Sequence, residues 1–452
     1  MRPAYGRLHS HGKLGKDRSV RLCEMLCLLA CLSLSRAAFA VTITDPGQAP
    51  VVLPAGIPGG SGLSAVSYVS GSQWLLLSDE TSPNARLFRA TIEVDLDTAE
   101  ITGTPSLDSD LILGAGSDTE GLGLRDDGGF MVSDEVGPSI YRFDAGGTLQ
   151  GALTIPSVFT AGLRDNLGFE SLALGPDGHV WTANEEALDS DGPVSSFTDG
   201  TIVRLQRFDA SFAPAGQWGY VTERIPGDIT GSGTGRDIEL SGVVDMVVLP
   251  DGAVLVMERA FGGDPQSLGF PIFEIRIYEI DFGGATDTSE LAALSAGSFT
   301  PVAKTLLWED TFTLGTGLAD FEGIALGPVA TNGDILAVLV ADDNGGTSQQ
   351  VLKSLRIAVP ASTVPDQGAT ESGPHLRMSR NPVMGHAEFW MTSSRPIGRL
   401  EIFDVAGRRL SEVPTVEHGP LQWSTEGAAA GLYFARATSD SRSTIMKFTV
   451  LR

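Results

Sequence analysis

The chain has 452 residues, 42% hydrophobic and 19% charged, enough for two or three domains with real cores. Its 31 basic and 56 acidic residues give a formal net charge of −25, which argues against nucleic acid as a partner and favours cations. The three cysteines are Cys23, Cys27 and Cys31, so a chain that loses its first 40 residues has no disulfide, thiolate metal site or cysteine nucleophile.

Those first 40 residues read as an export leader. Arg2, Arg7, Lys13, Lys16, Arg18 and Arg21 form a basic region, LCLLACLSLS (26–35) is apolar but too short to span a bilayer, and AFA (38–40) is a cleavage site. LLAC (28–31), with Cys31 as a lipidated residue, is the alternative. Removing the leader leaves 24 basic and 54 acidic residues, and residues 41–376 hold 14 and 47 of these. No later stretch is long and apolar enough for a transmembrane helix.

A layout then recurs along the chain: an apolar strand, a turn often containing Asp-Gly or Asn-Gly, and a second apolar strand. Its copies are SGLSAVSYVSGSQWLLLSDE (61–80), SDTEGLGLRDDGGFMVSDE (117–135), GFESLALGPDGHVWTANEE (168–186), VVDMVVLPDGAVLVMER (243–259) and DFEGIALGPVATNGDILAVLVADDN (320–344). Further β-rich runs follow most copies, as in ARLFRATIEVD (85–95) and EIRIYEIDF (274–282). Two inner strands with one or two outer ones make a propeller blade. Five copies are clear. QWGYVTE (217–223) or PVAKTLLWE (301–309) would complete a sixth, so the expectation is an all-β, six-bladed propeller over 41–358.

In a hairpin, residues equidistant from the turn face each other. This predicts side-by-side pairs Glu120–Asp134, Glu170–Asn184, Asp245–Glu258 and Glu322–Asp342, at the end away from each turn. With Glu135, Glu185, Asp343 and Asn344 they would converge near the axis. Crowded carboxylates repel one another, and a bound cation removes that cost. Only oxygen ligands are on offer, so the ion should be hard: Ca²⁺ first, then Mg²⁺ or Mn²⁺. Such an ion could lower the pKa of a water, with a carboxylate (Glu170, Glu120 or Glu322) as general base. Arg259 is the best-placed cation for a substrate anion. Arg86, Arg204, Arg236, Lys304 and Lys353 are weaker candidates. His179 is the only histidine in 41–374 and follows a turn at the far rim, which argues against a Ser-His-Asp triad or a His-ligated zinc.

The motifs EGLGL…VSDE, FESLAL.PDG..WTANE, LPDG..LVMER and FEGIALG…ADDN, in that order over roughly 60–358, resemble the phytase-like domain of secreted bacterial proteins. That family is described by an esterase-like activity of phytase. The resemblance implies a β-propeller that hydrolyses phosphate or other esters, with a calcium-rich acidic cleft. The sequence lacks the cluster of lysines and arginines that would hold a polyphosphate such as phytate. A calcium-dependent lactonase or carboxylesterase, and a non-catalytic surface propeller binding glycans or proteins, are the competing readings.

AVPASTVPDQGATESGPH (358–375) reads as a linker, placed at 359–376. Residues 377–452 contain about seven short β-runs, which suits a small Ig-like β-sandwich. RNPV (380–383), LEIFDVAGRRL (400–410), GLYFARA (431–437) and KFTVLR (447–452) resemble the C-terminal sorting domain of type IX secretion cargo. That resemblance implies the secretion machinery as a partner and delivery to the cell surface or medium. A generic Ig-like spacer shares the fold without that role.

Overall fold

The computed structural model describes residues 41–54, 61–79, 85–125, 127–164, 166–233, 238–264, 269–315, 317–344 and 349–359. Towards the C-terminus it describes 375–378, 383, 385–392, 399–404, 408–413, 421–429, 431–439 and 442–450. The leader, the lipidation alternative, Arg236 and residues 360–374 of the expected linker lie outside the described residues, while His375 and Leu376, placed in the linker, open a strand.

Residues 41–359 form five antiparallel sheets. Blade 1 runs from the axis outward as Leu63–Ser70, Gln73–Ser78, Arg86–Val94 and Ile101–Ile112. Blade 2 is Thr119–Leu124, Phe130–Asp134, Ser139–Phe143 and Leu149–Ala152. Blade 3 is Ala173–Leu174, Val180–Ala183, Ile202–Phe208 and Pro214–Val221, and blade 4 is Leu240–Val248, Val254–Gly263, Pro271–Asp281 and Ala303–Thr313. Blade 5 takes Asp320–Val329, Ile335–Asp342 and Val351–Ala358 from late in the chain, and its outermost strand, Thr42–Thr44, from the beginning. The inner strands neighbour one another in the order 1, 2, 3, 4, 5 and back to 1, so the ring is closed.

The expected six blades are therefore five among the described residues. Residues 217–221 lie in the outer strand of blade 3, and 303–309 in the outer strand of blade 4. Either run could complete a sixth blade on sequence spacing, which cannot tell a fourth strand from a new first one.

The inner hairpins form where the sequence places Gly at the close of the turn. Gly128, Gly178, Gly252 and Gly333 all have φ between 83° and 94°, a left-handed conformation that a Cβ disfavours. Alternate apolar residues on both faces of each blade then fill the spaces between neighbours. One buried cluster lies at each of the five blade junctions, holding for example Trp74, Phe88 and Leu352 between blades 5 and 1. Each fully buried large apolar side chain contributes roughly 1.5–3 kcal/mol.

The C-terminal residues form two sheets, of three strands (His375–Met378, His386–Thr392, Leu421–Ser424) and four (Arg399–Asp404, Arg409–Val413, Gly431–Ser439, Arg442–Val450). Leu376, Phe389 and Trp423 of one meet Ile402, Ala435 and Phe448 of the other in a common core, which makes a β-sandwich. Among the described residues, no helix is long and apolar enough to cross a membrane.

Candidate metal centre on the propeller axis

Strand register decides which acids reach the axis. Near the rim, the last pair before the strands fall out of step, the anchoring pair of each blade, is Leu63–Ser78, Thr119–Asp134, Phe169–Asn184, Val243–Glu258 and Phe321–Ala341. Below it, the inner strand uses one more residue than its partner before pairing resumes, at Ala65, Leu122, Ala173, Asp245 and Gly323. Every blade thus carries a one-residue bulge at the same height. A bulge leaves its extra residue unpaired and re-aims its side chain.

The residue after each anchor is Ser64, Glu120, Glu170, Val244 or Glu322. The residue after each anchor's partner is Asp79, Glu135, Glu185, Arg259 or Asp342, and the residue before each anchor is Gly62, Asp118, Gly168, Gly242 or Asp320. Main-chain pairing joins the last two sets across each blade, as in Glu135 N–H to Asp118 O (2.8 Å), Glu185 N–H to Gly168 O (2.9 Å) and the Asp320–Asp342 pair. The three sets bring nine carboxylates and one guanidinium to one rim. Glycine fills positions where blades approach closely: a Cβ on Gly242 would lie 2.6 Å from Glu185 Cγ, and one on Gly168 2.5 Å from Glu135 O.

Two triads come closest. Oxygens of Asp118, Glu120 and Glu135 lie within 4.8 Å of one another, as do those of Glu135, Glu170 and Glu185. Glu135 belongs to both. Burial and then neighbouring carboxylates push Glu120, Glu170 and Glu322 well above the usual carboxylate range, and these three act on one another across the axis. Burial and Glu185 raise Glu135 to about 7, and burial and Asp320 raise Asp342 to about 6.

Arg259 is already engaged. Its Nη1 donates to Asp320 (2.9 and 2.8 Å) and Glu322 (2.5 Å), and its Nη2 to Glu185 (2.8 Å). It is buried and ties blades 3, 4 and 5 together, so it is not a spare cation awaiting an anion. The weaker candidates are likewise paired: Arg86 with Asp110, Arg204 with Asp191, Lys304 with Glu223 and Glu258, and Lys353 with Asp45. His179 pairs with Asp177 beside its turn.

The expected side-by-side pairs do not form, because of the bulges. Thr119, not Glu120, opposes Asp134, Phe169 opposes Asn184, Asp245 opposes Met257, and Asp320 opposes Asp342. Successive residues of a strand point to opposite faces, so only one of each neighbouring polar pair can face the axis. Glu120, Glu135, Glu170, Glu185, Glu322 and Asp342 do. Asp134 instead accepts from Ser117 N–H (2.6 Å), and Asn184 is used by Glu186 O and by Arg204 N–H (2.9 Å). Asp245 accepts from Met246 and Ile324 N–H, both at 2.8 Å, fastening blade 4 to blade 5, while burial lifts it to about 8. Glu258, fully buried, accepts from Tyr220 Oη (2.5 Å), Glu223 N–H (2.8 Å) and Lys304 Nζ (2.7 Å). Asp343 accepts from Gly62 N–H (3.3 Å), and Asn344 donates to Asp320 (2.9 Å). Asp79, Asp118 and Asp320 are the rim acids that sequence reasoning missed. Counting two residues back from Glu120 and Glu322 would have found Asp118 and Asp320.

The sequence model of the phytase-like family, described as esterase-like activity of phytase, matches residues 58–345. The chain belongs to this family. The match spans the inner hairpins of all five blades and every axial acid. No curated protein matches the chain. Among solved structures, virginiamycin B lyase from Staphylococcus aureus shares 11% identity, covering 78% of this chain and 96% of that one at a TM-score of 0.29. The aldose sugar dehydrogenase of Streptomyces coelicolor shares 14%, covering 70% and 84% at 0.29. The WD40 β-propeller domain of Doa1 shares 12%, covering 71% and 96% at 0.25. These superpositions are loose, and the propeller rests on the five closed sheets.

The donor set fits a hard cation. It is all oxygen, has no histidine or cysteine, and is crowded enough that burial and repulsion raise the acids' pKa values.

Proposed function

We propose that the protein is an exported ester hydrolase working at the axial carboxylates with a bound hard divalent cation, calcium first, and that its substrate is a phosphoester. The observation that carries this reading is the pair of carboxylate triads sharing Glu135. Asp118, Glu120, Glu135, Glu170 and Glu185 would hold the cation, with Glu322 and Asp342 facing them from blade 5. When bound, the ion supplies positive charge for an anionic ester and acidifies a water. Arg259 keeps Glu185, Asp320 and Glu322 in position, and one of Glu120, Glu170 and Glu322 takes the proton from water. Family membership supports ester hydrolysis as the class of reaction.

A neutral ester or lactone is the second reading. Among the described residues, Arg259 is the only cation paired to the axial acids, and three carboxylates consume it. A substrate with several phosphates would find little else to neutralise it. A panel of phosphomonoesters, phosphodiesters, lactones and acyl esters, each assayed with calcium and with chelator, separates the readings. Chelator-sensitive turnover of a phosphoester supports the first, and turnover of lactones or acyl esters alone supports the second. Tight calcium binding with no turnover of any member would leave a surface binding propeller. For the C-terminal sandwich we propose a sorting role. Deleting 377–452 in a host with type IX secretion should retain the protein in the envelope, and normal export of the truncated chain would refute that role.

A further inference from the structure

Four blades place an acid directly after the anchor's partner: Asp79, Glu135, Glu185 and Asp342. Blade 4 places Arg259 there, and its inner strand offers Val244 where blades 2, 3 and 5 offer glutamate. The repeat has therefore exchanged an acid for a guanidinium at one position of the ring.

That guanidinium stands as an ion would. Arg259 Nη1 lies 2.9 and 2.8 Å from the two oxygens of Asp320 and 2.5 Å from Glu322 Oε1. One bidentate and one monodentate carboxylate thus surround a single point. The separations are little longer than the roughly 2.3–2.6 Å of calcium–oxygen bonds. Asp320 is itself held in place, because Asn344 Nδ2 donates to its Oδ2 at 2.9 Å. Arg259 Nη2 donates to Glu185 Oε1 at 2.8 Å, and Glu185 is also a member of the second triad.

The axial charge is divided accordingly. The triads draw all their acids from blades 2 and 3. Among the described residues, no lysine or arginine pairs with Asp118, Glu120, Glu135 or Glu170, whereas Arg259 serves Asp320 and Glu322 of blade 5. Buried carboxylates need a positive charge beside them or must take a proton. Blade 5 has that charge built into the chain, and blades 2 and 3 do not.

We infer that Arg259 is a tethered cation that takes the place of a second metal ion and confines the bound ion to blades 2 and 3. This rests on the reading of the triads as a cation site. Asp320 and Glu322 are then counter-ions of Arg259 and not ligands, and Glu185 couples the guanidinium to the ion.

The test is calcium stoichiometry in the full chain, by calorimetry and equilibrium dialysis. Arg259→Met should bind one calcium ion more than the wild type. Adding Asp320→Asn to that variant should remove the extra ion, and Arg259→Lys, which keeps a charge, should bind as the wild type does. If Arg259→Met does not fold, Arg259→Gln, which keeps an N–H donor for the acids, carries the test. Equal stoichiometry in the wild type and the uncharged variant would overturn the inference. So would an extra ion that survives Asp320→Asn or appears in Arg259→Lys. No calcium in the wild type with one ion in Arg259→Met would refute the triads as a cation site and still support Arg259 as the built-in cation.

Discussion

Replacing Arg259 with methionine tests the electrostatics of the rim directly. The guanidinium bonds to Asp320, Glu322 and Glu185 at 2.5–2.9 Å, and its side chain is 10% exposed. Methionine fills much of the same volume without the charge. Removing one partner from a buried ion pair costs about 3–5 kcal/mol, because the remaining charges stay buried and unpaired. Here three acids lose their counter-ion at once, so the expected loss is at the upper end, about 5 kcal/mol. The carboxylates can escape the penalty by taking protons. Burial already raises Glu185 and Glu322, and without Arg259 they rise further, so the loss is larger at about pH 8 and shrinks as pH falls toward about 5. Urea unfolding of the metal-free protein at both pH values measures the difference, and calcium should restore part of the stability at the higher pH. A loss under about 1 kcal/mol at pH 8, or an equal loss at both, would refute the reasoning.

Three further outcomes are expected. Glu258→Gln should lower stability by roughly 3 kcal/mol through its broken contact with Lys304 and leave calcium affinity unchanged, since Glu258 faces Tyr220 and Lys304 and not the axis. Calorimetry and unfolding on the same variant check both halves. The metal-free protein should lose stability as pH rises from about 4.5 to 8, because acids raised on folding hold protons that the unfolded chain has released. Glu135, at about 7, accounts for about 3 kcal/mol of this, and saturating calcium should flatten the profile of melting temperature against pH. Deleting residues 41–44 removes buried Val41 and the pairing of Thr42–Thr44 with 356–358, so blade 5 loses its outer strand. The expected cost is about 3 kcal/mol, read as a fall in melting temperature.

The hairpins were legible because their turns announce themselves. The Asp-Gly and Asn-Gly steps between apolar runs locate all the inner hairpins of blades 2 to 5. The axial residues Glu120, Glu170 and Glu322 follow from aligning those repeats. Register was not legible. Mirror-pairing about the turn assumes equal strand lengths, and one bulged residue per blade breaks that equality. A one-residue slip moves a side chain to the other face of its strand. That is why Asn184, Glu258 and Asp245 read as ligands yet serve within or between blades. The same slip hid Asp118 and Asp320, which reach the rim from one step before the anchoring pairs. Arg259 was recognised as a rim residue, but its occupation by Glu185, Asp320 and Glu322 depends on neighbours 61 to 74 positions away in the chain.

The proposed hard cation would sit at the axial triads sharing Glu135. Calcium calorimetry on residues 41–452 is the test, comparing wild type with Glu135→Gln and Glu170→Gln. Calcium should bind the wild type and bind about ten-fold or more weakly to each variant, while folding is retained. No calcium heat in the wild type, or the same affinity and stoichiometry in both variants, would contradict it.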